Sequence, residues 1–209
     1  MKIMKSPINV ILFLLVVGLI SVSVQAKPYV EGVDYTLVTG IPEPSVPVVR
    51  EFFSYNCPHC YRQDPLFAET EILLKGKVEF ARTPIGAGRA SWILSQEAYY
   101  LAQKFKLSPQ FHGNIFKRIH EKGLAFTRKD QLTDYFVKQG VKRTDVENAI
   151  NSVDVNLAVS NYDTQAQLAG IRGVPSLLVN GKYLISSKHR SAEELAELVT
   201  YLSALENKQ

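Results

Sequence analysis

The chain has 209 residues, with 24 Lys and Arg against 20 Asp and Glu and a formal net charge of +4. So slight an excess gives no reason to invoke nucleic acid or an acidic membrane surface as partner. The only cysteines, Cys57 and Cys60, close a loop too short to hold distant parts of a chain together, which excludes a disulfide-stapled scaffold.

Residues 1–26 read as a cleaved signal peptide. Lys2 and Lys5 form a positive start, Val10 to Ile20 an apolar run, and Val24-Gln25-Ala26 a small-residue cleavage site. The apolar run is well short of the roughly 20 residues a membrane-spanning helix needs. The mature chain is expected to begin at Lys27 and to leave the cytosol for the periplasm.

Residues 33–38 read as a short strand, and the prolines of Gly40-Ile41-Pro42-Glu43-Pro44 as a loop. Residues 47–54 are a β-run apolar on both faces apart from Arg50 and Glu51, as a strand buried in a mixed sheet requires. Pro58 suits the first turn of a helix, which is expected to run to about Leu74 with a kink at Pro65. Residues 77–83 form the next strand, parallel to the last if the helix is a crossover.

From Ala90 to Asn156 only helical patterns occur. Trp92, Leu94, Ala98, Leu101 and Phe105 recur at helical spacing, and so do Phe111, Ile115, Phe116 and Ile119. Further helices are expected at 130–136, 144–151 and 155–169, the last stopped by Gly170. Strands return at 176–179 and 182–185 around Asn180-Gly181, a strong hairpin signal. A final helix over 191–205 has Ser191 as N-cap and Glu194 as its capping-box partner. Without the helical block, the element order is that of a thioredoxin domain. The expected fold is therefore α/β, a thioredoxin fold with an inserted all-helical subdomain. Its parts are 27–89, the insertion at 90–156, and 157–209.

Cys57-Pro58-His59-Cys60 sits at the strand–helix junction. A C-x-x-C pair there is the layout of a thiol–disulfide redox site, because a helix N-terminus favours a thiolate on the first sulfur. A zinc site is a poor alternative: tetrahedral zinc takes four donors, and only His59, His112, His120 and His189 are available to join the two thiols. No metal and no cofactor beyond the redox-active disulfide is expected.

The segments Phe52-Phe53-Ser54-Tyr55-Asn56-Cys57-Pro58-His59-Cys60-Tyr61 and Arg172-Gly173-Val174-Pro175-Ser176-Leu177-Leu178-Val179-Asn180-Gly181-Lys182-Tyr183 resemble the two active-site segments of the DsbA family of periplasmic thiol oxidases. The resemblance extends over the mature chain, including the Gly32-x-x-Tyr35 opening. It implies a disulfide donated to newly exported proteins and restored by a DsbB-type quinone-linked membrane protein. It further implies Cys57 as nucleophile, Cys60 as resolving thiol, and His59 as a stabiliser of the Cys57 thiolate. The Val174–Pro175 peptide is then cis, with the Val174 backbone pairing with a substrate strand. Glu51, six residues before Cys57, resembles the family's buried acid, positioned to pass a proton to and from Cys60. The competing reading of Glu51 is a wet ion pair with Arg50 or Lys75. Two competing functions remain at this point, a disulfide isomerase or reductase and a peptide-binding chaperone. His59 between the thiols favours oxidation, and no dimerisation segment is recognisable before residue 33, so a monomer is expected.

Overall fold

The computed structural model describes residues 29–107, 109–188 and 190–205. The signal-peptide reading and His189 lie outside the described residues. Five strands form one mixed sheet: β1 (Tyr35–Leu37), β2 (Val48–Phe53), β3 (Glu79–Pro84), β4 (Ser176–Val179) and β5 (Tyr183–Ile185), in the order β1-β5-β4-β2-β3. Strands β2 and β3 are parallel and the other neighbours antiparallel. The helix between β2 and β3, α1 (Pro58–Leu74), is the crossover that a parallel pair demands. It runs unbroken through Pro65, where the sequence suggests a kink. The proline there forgoes only its own bond to the Tyr61 carbonyl.

Alternation along the strands assigns the two faces of the sheet. Val49, Leu177 and Val179 join Phe67 and Leu74 of α1 and Leu195, Leu198, Val199 and Leu202 of α7 (Ala192–Ser203) in one core. Phe52 and Leu178 point the other way, against Ala166 and Ala169 at the end of α6 (Val153–Leu168). Arg50 and Glu51, being consecutive, therefore face opposite sides. Arg50 pairs with Glu43 at 2.6 Å, and not with Glu51.

Between β3 and α6 lie α2 (Ala90–Lys104), α3 (Gln110–His120), α4 (Lys129–Lys138) and α5 (Arg143–Ile150). Their apolar faces share a third core, running from Leu94 through Ile115 and Phe136 to Ile150. Phe53, Tyr55, Cys57 and Cys60 belong to the same cluster, so the cysteines lie in the seam between sheet and insertion. The sequence-based division at 156 falls inside the first turns of α6, whose last turn packs on the sheet.

Ser191 and Glu194 close a reciprocal capping box at the start of α7. Asn180 and Gly181 both adopt positive φ in the turn that Lys182 N–H closes onto the Val179 carbonyl at 3.0 Å, and with Val179 paired to Tyr183 the hairpin loop comprises Asn180, Gly181 and Lys182. Gly181 also meets the loop before β2: Ile41 N–H donates to its carbonyl at 3.0 Å, and a Cβ on Gly181 would collide with the Ile41 carbonyl. Gly181→Ala is expected to cost roughly 2 kcal/mol or more, since both backbone conformation and space oppose a side chain. A thermal or urea melt checks this.

Candidate active site

Cys57 is the N-cap residue of α1, with extended backbone angles and Pro58 in the first helical position. Its sulfur thus occupies the place where a capping Ser or Asp oxygen would meet the helix N–H groups, at the positive end of the dipole. The two thiols are free and differently placed: Cys57 retains 6% of its surface, Cys60 none. Both residues are largely enclosed, and what contact with solvent remains belongs to Cys57.

The second segment of the resemblance arrives from the far end of the chain. Cys57 Sγ–H donates to the Val174 carbonyl at 3.5 Å, a contact across 117 residues. The Val174–Pro175 peptide is cis. Beside it Pro175, Leu66, Phe67, Leu177, Arg62 and Arg190 line a cavity of about 480 Å³.

Behind Cys60 stands Glu51, 1% exposed. Burial pushes its carboxyl up to about 7, against the pull of the Arg82 guanidinium, whose Nε donates to Glu51 Oε2 at 3.1 Å. The alternative expectation of a wet pair with Arg50 or Lys75 is corrected: Arg82 sits beside Glu51 in the parallel β2–β3 register. Arg82 also binds Glu71 at 2.7 Å. Together with Asp64 and His112 they line a cleft of about 800 Å³, which brings solvent to the far side of the pair. Burial likewise pushes the Cys60 thiol far up, with the negative charges of Cys57 and Glu51 adding to it, while a hydrogen bond from the Ser54 backbone pulls the other way. Glu51 is thus a buried carboxyl with a raised proton affinity whose charge is felt at the Cys60 thiol.

His59 is exposed, and its Nδ1 accepts from Arg62 at 2.8 Å. Arg62 only donates, so the ring proton of neutral His59 resides on Nε2. Arg62 thus places a fixed positive charge beside His59.

Arg82, Asp64, Arg62, His112 and His120 were not singled out as site residues from the sequence. The i, i+4, i+8 spacing of His112, Phe116 and His120 was the available signal, since it puts all three on one face of α3.

A C-x-x-C at a helix N-cap, facing the residue before a cis-proline on this sheet order, defines the class of thioredoxin-fold dithiol proteins. Within that class the protein-family model described as DSBA-like thioredoxin domain matches residues 78–200, and the chain belongs to that family. It is thus an oxidoreductase acting on thiols and disulfides. The chain is 29% identical over 174 residues to the thiol:disulfide interchange protein DsbA of Pseudomonas syringae pv. tomato, covering 81% of each. Among solved structures, it resembles DsbA of Xylella fastidiosa with a TM-score of 0.76 and 26% identity, over 87% of this chain and 99% of that one. It resembles Proteus mirabilis DsbA with a non-covalently bound peptide at a TM-score of 0.71 and 28% identity, over 84% of this chain and 98% of that one. Among the described residues no helix is long and apolar enough to cross a membrane.

Proposed function

We propose that the protein is a periplasmic thiol oxidase that donates a Cys57–Cys60 disulfide to reduced, newly exported proteins. The observation that carries this is the asymmetry of the dithiol: Cys57 accessible at a helix N-cap, Cys60 sealed above a carboxyl poised near neutrality.

The exchange runs as two displacements. A substrate thiolate attacks Cys57 Sγ, forming a mixed disulfide and breaking the Cys57–Cys60 bond, and the electron pair leaves on Cys60. Glu51 in its protonated form supplies the proton that so deeply buried a thiolate needs. A second substrate thiolate then attacks the substrate sulfur of the mixed disulfide, releasing the oxidised substrate and the Cys57 thiolate. That thiolate is a good leaving group because the helix N-terminus, with His59 and Arg62 alongside, favours its charge. Two electrons stay with the enzyme, along with the proton that Glu51 has passed to Cys60, while the protons of the two substrate thiols have gone to solvent. A DsbB-type quinone-linked membrane protein would remove the electrons, with Glu51 now taking the Cys60 proton.

The Val174 backbone is the edge on which an extended substrate segment would pair, as β-augmentation requires. A non-covalently bound peptide in the relative from Proteus mirabilis supports a polypeptide as the exchange partner. The redox-active disulfide serves without a further cofactor or metal, and the protein works as a monomer.

Equilibration with glutathione tests the oxidase direction. The expected reduction potential is at or above the roughly −180 mV typical of disulfide isomerases. A value near the roughly −270 mV of thioredoxin would make the protein a reductant and overturn the proposal.

A further inference from the structure

Helix α3 of the insertion holds the redox loop on both flanks. Tyr55, two residues before Cys57, is gripped at both ends: His112 Nδ1 lies 2.8 Å from its hydroxyl, and His120 Nε2 lies 2.8 Å from its carbonyl. Tyr61, directly after Cys60, stacks on the His120 ring at 4.8 Å with only 10° between planes, and its hydroxyl donates to Glu121 at 2.7 Å. From α2, Ser95 Oγ meets the side-chain amide of Asn56.

The protonation pattern is self-consistent. A carbonyl only accepts, so His120 donates from Nε2–H. His112 Nε2 lies 3.1 Å from Asp64 Oδ1 without the alignment of a hydrogen bond, so the carboxylate acts on the ring by its charge, which favours the proton on that nitrogen and leaves Nδ1 to accept from the Tyr55 hydroxyl. Burial holds His112 below the usual imidazole range, in keeping with a neutral ring, and holds the Tyr55 hydroxyl protonated. The rings of Phe53 and Phe116 close around His112 at 5.1 and 5.2 Å, so it has little freedom to swing away.

The gripped loop is where both sulfur-bearing residues find backbone partners. Cys57 N–H donates to the Ser54 carbonyl at 3.0 Å, and the Ser54 backbone hydrogen-bonds the Cys60 sulfur. Tyr55 and Asn56 belong to neither β2 nor α1; Phe53 of β2 meets the Tyr55 ring edge-on at 5.0 Å, but the hydrogen bonds to the Tyr55 hydroxyl and carbonyl both come from α3.

We propose that His112 and His120 are positioning residues for thiol exchange, through which the helical insertion sets the loop that seats Cys57 on the N-terminus of α1. The proposal rests on the exchange reading above. Loosening Tyr55 lets the Cys57 sulfur drift from the helix N-terminus, which removes support from the thiolate and shifts the pair toward its oxidised form.

The test compares variants by glutathione equilibrium and by the rate of disulfide exchange with a reduced cysteine-containing peptide. His120→Phe keeps a ring to stack on Tyr61 but loses the donor, and His112→Phe loses the acceptor. Each is expected to move the glutathione equilibrium about fivefold toward the oxidised pair, the equivalent of one hydrogen bond of roughly 1 kcal/mol, and to slow exchange. His120→Gln, whose amide N–H₂ still reaches a carbonyl, is expected to retain the wild-type equilibrium. If His112→Phe fails to fold, Tyr55→Phe, which deletes the hydroxyl that His112 holds, is read instead; if His120→Phe fails to fold, His120→Leu, which likewise removes the donor to the Tyr55 carbonyl, is read instead, and each should shift the equilibrium in the same direction. Wild-type equilibrium and rate in the folded variants, whatever their melting temperatures, would show that the histidines serve only stability. His120→Gln as impaired as His120→Phe would equally overturn the proposal. A wild-type potential near thioredoxin's would instead sink the oxidase reading and leave the positional effect of the variants measurable.

Discussion

Cys60→Ala is expected to arrest exchange at the mixed disulfide. In this variant the Cys57 thiolate still attacks a substrate disulfide, one sulfur remaining on Cys57 and the other departing as thiolate. The intramolecular route that would reverse this, attack by Cys60, is gone. Alkylated periplasmic extracts run on a gel should show slowly migrating bands that vanish on reduction. Cys57→Ala is expected to show none. Its remaining thiol has no accessible surface, and burial keeps it protonated. Catalysed oxidation of a reduced test protein should fall to background in both variants. If Cys57→Ala captured more partners than Cys60→Ala, the roles assigned to the two sulfurs would be reversed.

Glu51→Gln is expected to slow the steps that move a proton at Cys60 and, at the same time, to stabilise the fold above neutral pH. A positioned general acid–base contributes typically 10²- to 10⁴-fold, and a loss at the lower end, about 100-fold in exchange rate, is expected because the substituted amide still orders the surroundings. The stability effect follows from linkage. Burial raises the folded carboxyl to about 7, while its ordinary value is 4.5. Between those values the folded state binds more protons than the unfolded one, so stability falls as pH rises. Below about pH 4.5 the group is neutral in both states and costs nothing; above about pH 7 it is ionised in both and the full penalty, on the order of 3 kcal/mol, is present. Glutamine has no such window. Urea unfolding of wild type and variant across this range should show curves that converge in acid and separate toward alkaline pH, the variant being the more stable. The separation will be smaller than the full figure, because the Arg82 guanidinium loses a charged partner and keeps only Glu71. Curves that run parallel throughout would mean that Glu51 does not change protonation in this range and is no proton relay.

Local chemistry determined a great deal of this protein from the sequence alone. Ser191 and Glu194 announce their capping box through spacing, Asn180-Gly181 its hairpin through positive φ, and Pro58 its helix start through the missing N–H. Each is settled within four residues of backbone. The thioredoxin order of elements follows from the switch between alternating and helical periodicity, and the apolar β2 run marks the strand at the sheet's interior. Even the opposition of Arg50 and Glu51 is implicit in strand alternation, which sends consecutive side chains to opposite faces and rules out a pair between them.

Partnerships were decided only by the tertiary structure. Glu51 meets Arg82 because the crossover helix sets the register of two parallel strands, and no periodicity within either strand encodes that register. The elevated Glu51 carboxyl depends on burial by α1 above it, so its chemistry is a property of packing. Cys57 and Val174 touch across 117 residues because β4 inserts antiparallel beside β2. His112, Phe116 and His120 declared a common helix face, yet the target of that face, Tyr55 and Tyr61 on either side of the cysteines, depends on how the insertion docks. Periodicity tells a side chain to turn inward; only the packing of distant elements tells it which neighbour it will find there.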